Sequence, residues 1–472
     1  MTNKTEGKKK KLTFPDAYVL MIGLIVFAAI MTYIVPSGTY SRIEDLNTGN
    51  MLVQAGSFKY GEQHPVSIMD VFRAIPSGLG KNSVTIFFVL IIGGAFGIVN
   101  FTGSLDVLIG RVISKSQGSK KGEIIITSLV LTFGLAGGVV GMYEECIAFL
   151  PILMTLCIAL GYDALVAAGI LLLGLASGYG SATINPFTVG LAQGISGLPL
   201  FSGMWFRWIF WICTMILLSG YIIFYCKKIK KDPSKSLVSD IDYSHWQLDE
   251  SSIKEKLSSG NIRVLVTFFG GILVLMIIIV KFSLGMSDLS AYFFALGILC
   301  GVVYGMSPNK IASAFVKGMQ EMVYPAILIG FASSIVVILE QGVILDSIVH
   351  GLSLVLNYVP RIFSGGVMMI MQSIINLFIP SGTGQAMVTM PLMAPLADVI
   401  GVPRQVAVLA YQMGDGFANG IVPTLGVLMA GISIAHIPYT RWFKFASKII
   451  LMELVLGFIF LMISVQINLG PF

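Results

Sequence analysis

The sequence predicts an all-α polytopic membrane protein of two inverted-topology repeats, with about nine transmembrane helices, two re-entrant hairpins and helices broken at the midplane. Three observations predict it: apolar runs of bilayer length, an ordered series of matches between the two halves, and four glycine-rich interruptions that fall in pairs.

The apolar runs come first. Of 472 residues, 56% are hydrophobic and only 11% charged, where soluble domains carry about a quarter charged. Mean hydropathy is +0.87. Segments 17–35, 83–99, 205–225, 264–280 and 442–467 each approach or exceed the ~20 residues that a helix needs to cross the hydrocarbon. A β-barrel would show short alternating segments instead. The net charge of +6 is no nucleic-acid signal, because the basic residues cluster at the ends of apolar runs, at 8–11, 111–121, 227–231 and 441–448. Under the positive-inside rule these are cytoplasmic anchors, which predicts a multi-pass protein of a bacterial inner membrane with its N-terminus in the cytoplasm. The lipid bilayer is then a partner and nucleic acid is not. The five cysteines show no metal or disulfide spacing. Run 17–35 lacks a small-residue cleavage site and reads as a retained span.

The matches between halves recur at a separation of about 240 residues. Val71, Phe72 and Gly78 match Ala314, Phe315 and Gly318; Gly103 and Asp106 match Gly342 and Asp346; Pro151 and Gly161 match Pro391 and Gly401. Further on, Pro186 matches Pro423, Gly194-Ile195-Ser196 matches Gly431-Ile432-Ser433, and Arg207-Trp208 matches Arg441-Trp442. An ordered series of this kind marks a duplication. Charge sets the division: a cytoplasmic tail 1–16, a first repeat 17–226 with a hairpin near 124–160, a cytoplasmic linker 227–260, an extra helix 261–284 and a second repeat 285–472 with a hairpin near 362–400. The extra helix flips the second copy. Residues 41–64 form an outer polar loop, Glu340 and Asp346 lie at a helix end near the outer surface, and Glu321 is interfacial. Glu453, inside the last span, pairs locally.

Helices break inside a membrane only where protein or a cavity satisfies the freed backbone. The breaks are 137–145 and 178–186 in the first half, 379–385 and 414–423 in the second. Glycine permits the unwinding, and hydroxyl, amide and helix-end groups can hold an ion or a substrate. Small residues also serve close helix packing, but four clusters in register point to a midplane site. The candidates are Tyr143, Glu144, Glu145, Ser181, Thr183, Asn185, Ser381, Gly382, Thr383, Gln385, Asp415 and Asn419. Carboxylates at membrane depth attract cations. Asn185, Thr183, Ser381 and Asn419 are the candidate Na⁺ ligands; no other metal and no cofactor is predicted, with Na⁺ or H⁺ as the conceivable coupling ion.

The run from Gly141 to Glu145, then Pro151, Gly161-Tyr162-Asp163, the stretch from Ser181 to Phe187, Ile379-Pro380-Ser381-Gly382 and Ala394-Pro395-Leu396 resemble the YfcC group of the DcuC-type C4-dicarboxylate anaerobic carrier family. The resemblance runs along nearly the whole chain. It implies the ion-transporter superfamily fold: a homodimer with a scaffold part and a moving transport part that carries two hairpins, working by an elevator motion. It leaves the small-molecule substrate open, since the family is named for dicarboxylates and includes arginine–ornithine antiporters.

No Lys or Arg falls in any of the four breaks, whereas Glu144, Glu145 and Asp415 do. That balance favours a cationic amino acid over a dicarboxylate: Glu144 and Glu145 for the side-chain cation, Asp415 for the α-amino group, and Ser181, Thr183, Asn185, Ser381 and Thr383 for the α-carboxylate. The alternative reserves the acids for Na⁺ or H⁺ coupling to a dicarboxylate, a peptide or another amino acid. No Ser/His dyad, His-Glu-x-x-His, Gly-x-Ser-x-Gly or nucleotide loop suggests an enzyme.

Overall fold

The computed structural model describes residues 17–44, 51–54, 56–115, 119–247, 257–282 and 286–470; the predicted N-terminal tail lies outside them. Among the described residues, seven helices are long and apolar enough to cross a membrane: 17–34, 83–101, 122–140, 204–231, 287–304, 323–341 and 439–466. Two shorter apolar helices cover 164–180 and 259–275.

Helix α1 (Ala17–Ile34) stops before Pro36. Its outward residues, among them Val19, Ile22, Phe27 and Ile30, are exposed, as a lipid-facing surface requires. The predicted outer loop holds two short antiparallel pairs: β1 (Gly38–Thr39) with β4 (Lys59–Tyr60), and β2 (Arg42–Glu44) with β3 (Met51–Val53). Arg42 fastens this segment to Asp346 at 2.9 Å. Helix α2 (Ile68–Lys81) begins in a capping box, with Ser67 and Asp70 exchanging hydrogen bonds. It passes through Asn82 into α3 (Ser83–Phe101), and α4 (Ser104–Lys115) comes next.

The first hairpin rises through α5 (Ser119–Leu135) and a π-turn, breaks at Gly141, and returns through a 3₁₀ turn (Glu144–Phe149) and α6 (Leu150–Ala159). Its ends meet, since a Cβ on Gly122 would lie 3.2 Å from the Tyr162 hydroxyl, and both are held from one side, the Tyr162 ring under Lys230 and Glu123 paired with Lys227 at 3.2 Å. The broken crossing is α7 (Ala164–Ala168), a π-turn, α8 (Gly174–Gly180), a non-helical stretch, a second π-turn (Pro186–Gly190) and α9 (Leu191–Ile195). Helix α10 (Met204–Lys231) closes this half, its last-turn lysines 228, 230 and 231 suiting the negative helix end.

The linker is therefore shorter than the predicted 227–260, because α10 runs to Lys231 and α11 (Ser259–Phe282) starts before 260. The second half passes through a similar succession: α12 (Met286–Tyr304), α13 (Pro308–Glu321), α14 (Val323–Gln341), α15 (Leu345–Leu354), α16 (Arg361–Asn376), α17 (Gly382–Val399), α18 (Arg404–Ala418), α19 (Gly426–Ile434) and α20 (Tyr439–Gln466). Prolines 360, 403 and 438 fix the starts of α16, α18 and α20. The α16–α17 hairpin closes on itself where Arg361 donates to the Gly401 carbonyl at 2.6 Å.

Helix α2 packs along α14 and α13 along α3, each contact made by glycine. A Cβ on Gly318 would meet the Gly93 carbonyl at 2.2 Å, and one on Gly78 would meet the Gly330 carbonyl at 2.5 Å. Small residues let helices approach this closely, and packing rather than hydrophobic expulsion drives association in lipid. Glu453 does not pair locally among the described residues: Ser177, 276 residues earlier, donates to it at 2.6 Å. The five cysteines are free.

Candidate functional site

The chain unwinds at four places and the structure gathers them. Gly141 takes φ +81°, a left-handed turn that favours glycine, and swings Tyr143, Glu144 and Glu145 across the end of α5. The Tyr143 amide donates to Glu145 Oε2 at 3.0 Å. Ser381 caps α17 by accepting from the Gly384 amide at 3.3 Å, so the first amides of an 18-residue helix point toward the same space. Tyr411 donates to the Gly382 carbonyl at 2.6 Å and pins this tip to α18.

These parts border one cavity of about 630 Å³, within the roughly 300–1,000 Å³ typical of small-ligand sites. Of the predicted residues, Tyr143, Glu144, Glu145, Ser381, Gly382, Thr383 and Asn419 line it. Lys81, Asn82, Tyr179, Ser333, Glu340 and Thr424 line it too, and sequence reasoning did not single them out as site residues. Tyr179 stood within a flagged break. Lys81 and Asn82 mark the α2–α3 junction, an interruption without the glycines that flagged the other breaks. Among the lining side chains are three carboxylates and one ammonium. The ammonium is already committed, since Lys81 Nζ stands 2.6 Å from both oxygens of Glu340. Among the described residues Glu144 and Glu145 have no ion-pair partner, so they are the unpaired acids of the cavity.

The other predicted residues stand behind the wall. Ser181 donates to the Ser177 carbonyl, Thr183 to Gly138 and Asn185 to Gly137, all fully or nearly buried. Thr183 and Asn185 tie the first crossing to the first hairpin, Ser181 bonds within its own crossing, and none of the three lines the cavity. Gln385 donates to Gln372. Asp415, 0% exposed, accepts from Asn376 Nδ2 at 2.8 Å, and the same amide donates to Asn419 Oδ1 at 3.1 Å. Asp415 thereby orients Asn419, which does face the cavity. Asp415 Oδ2 lies 3.2 Å from where a Gly382 Cβ would stand.

A second cavity, of about 1,070 Å³, lies at the other end of the bundle. Helix α14 divides the two: Tyr324 and Pro325 face the second, Ile329, Ser333, Val336 and Glu340 the first. Helix α3 does the same in reverse, with Thr85 on the first and Val89 through Asn100 on the second. The two cavities lie toward opposite ends of α1, since Ala17 borders the second and Ser37, past the other end, hydrogen-bonds Gly342, two residues from Glu340 of the first.

The family model for the C4-dicarboxylate anaerobic carrier, DcuC, matches residues 14–466. The chain belongs to the DcuC family. It is a membrane transporter and not an enzyme. Among the relatives of this carrier, the Escherichia coli K12 protein named "Putative basic amino acid antiporter YfcC" is 30% identical over 507 residues, covering 99% of this chain and 98% of that one. An uncharacterised protein of Haemophilus influenzae is 28% identical over 508 residues, covering 98% of each. Of solved structures, the Alcanivorax borkumensis YdaH transporter aligns at TM-score 0.42 and 14% identity over 96% of this chain and 99% of its own. Neisseria gonorrhoeae MtrF aligns at 0.40 and 19% over 97% and 96%.

Proposed function

We propose that this DcuC-family carrier exchanges cationic amino acids of the arginine/ornithine type across a bacterial inner membrane. The observation that carries the reading is the charge of the first cavity: two uncompensated carboxylates, and a sole ammonium held by Glu340. A dicarboxylate would need the opposite balance. The name of the E. coli relative, a basic amino acid antiporter, supports it.

In this reading Glu144 and Glu145 take the side-chain cation, bidentately for a guanidinium. Ser381 and the first amides of α17 take the α-carboxylate, using the positive end of the helix. The Asn419 amide oxygen takes the α-amino group, and Asp415 acts through Asn376 as a positioning residue. The basic ends of α10 and α20 face the cytoplasm, as does the N-terminus, so the first cavity opens outward and the second inward. The two halves are inverted repeats, supported by the way α3 and α14 exchange roles between the cavities. Hairpins and broken crossings carry the site past α1–α3 and α12–α14 in an elevator-like step, in a homodimer.

Uptake of labelled arginine into liposomes preloaded with ornithine, arginine, a C4-dicarboxylate or nothing tests this. Uptake that requires an internal cationic amino acid supports the reading, and no arginine uptake under any loading overturns it.

One observation favours coupling to Na⁺ or H⁺ instead. Asp415 Oδ2 and Asn376 Oδ1 are buried acceptors without a hydrogen-bond partner among the described residues, and a proton or small cation would satisfy them. Dependence of uptake on Na⁺ or pH, without internal substrate, would support that reading.

A further inference from the structure

The repeat places Lys81 opposite Glu321 and Glu340 opposite Asn100, at the same spacing of about 240 residues that relates Gly78 to Gly318. In the first cavity Lys81 and Glu340 form a closed pair at 2.6 Å. At the corresponding place in the second cavity the pair is missing: Asn100 is neutral, and Glu321 has no ion-pair or hydrogen-bond partner among the described residues. It is the sole carboxylate among the residues that line this cavity. The packing beside the two positions is alike, since Gly78 closes on the Gly330 carbonyl as Gly318 closes on the Gly93 carbonyl.

The surroundings suit an organic cation. Tyr324, Tyr439 and Trp246 bring three aromatic rings to the walls, and the remainder is mostly apolar. An open carboxylate with aromatic faces nearby attracts an ammonium or guanidinium by charge and by ring quadrupole together. The volume of about 1,070 Å³ leaves room for a hydrated amino acid. The hairpin segment Cys146–Ala148 stands between this space and the acidic tip: Ile147 and Ala148 line the second cavity while Glu144 and Glu145 line the first.

We propose that the second cavity is a separate receiving site for the cationic substrate on the cytoplasmic face, with Glu321 as its counter-charge and Tyr324, Trp246 and Tyr439 as its aromatic walls. This rests on the exchanger reading above. Internal substrate docks here before it reaches Glu144 and Glu145, so Glu321 governs loading from one side only.

The test uses the full-length protein in liposomes of defined orientation, with arginine titrated separately on each face while the other is saturated. Glu321→Gln is expected to raise the half-saturating arginine concentration on the cytoplasmic face about two- to fivefold, the scale of one partly solvated ion contact, and to leave the outer face unchanged. Glu321→Asp should retain most of the wild-type value. An equal change on both faces, or none on either, overturns the proposal while leaving the exchanger reading intact. Absence of arginine exchange by the wild-type protein overturns both.

Discussion

Gly416 and Gly180 pack backbone against backbone. A Cβ on Gly416 would stand 2.2 Å from both the Cα and the amide nitrogen of Gly180, so the broken crossings of the two halves touch without any side chain between them. Neither backbone can retreat without moving the tip it supports, because Gln412 donates to the Tyr179 carbonyl and Tyr411 to Gly382. Gly416→Ala should lower stability by about 1–3 kcal/mol, the usual cost of overpacking. A thermal melt in detergent measures it. Gly194→Ala is the control, since its added methyl meets nothing within 4 Å.

Glu144→Gln and Glu145→Gln should each lower kcat/KM for arginine exchange about tenfold or more, as removal of a buried partner from a charged ligand does. The melting temperature should hold. An unaltered kcat/KM in both variants would remove the cation role from these residues.

Lys81 and Glu340 are both substantially exposed, at 42% and 49% of their side chains. Such a pair adds at most about 1 kcal/mol to stability, so its importance is electrostatic. Glu340→Gln frees the ammonium inside the first cavity and should weaken arginine binding from the outer face; Lys81→Met should strengthen it. Opposite shifts of the two half-saturation values would verify this, and shifts of the same sign would count against it.

Asn376 links Asp415 to Asn419, which lines the cavity. Asp415→Asn and Asn376→Ala should each impair exchange, and the double variant should be little worse than either alone. Residues in one hydrogen-bond network couple by about 0.5–3 kcal/mol in such a cycle, and additive losses would show that the two act separately.

The four breaks were legible because glycine and proline interrupt apolar runs that otherwise have no reason to stop, and the structure unwinds the chain at each of them. The side on which a residue projects was not legible. Ser181, Thr183 and Asn185 belong to a flagged break but turn away from the cavity, since an unwound stretch has no period from which to read direction; Asp415 sits inside α18, which stays helical to Ala418, and also lies behind the wall. Long-range pairs were equally hidden: Glu453 finds Ser177 and Lys81 finds Glu340 across more than half the chain. The β-pairs of the outer segment went unread, each strand being only two or three residues long.

The two open carboxylates of the first cavity bear on membrane voltage. Carrying one uncompensated charge across 100 mV is worth about 2.3 kcal/mol, so an empty site that returns with both acids ionised has a strongly voltage-dependent step. A site loaded with a monocation carries the same charge in either direction whenever one monocation replaces another. One-for-one exchange then moves no net current. The resting potential then does not drive the net exchange, and only the ratio of substrates on the two faces sets its direction.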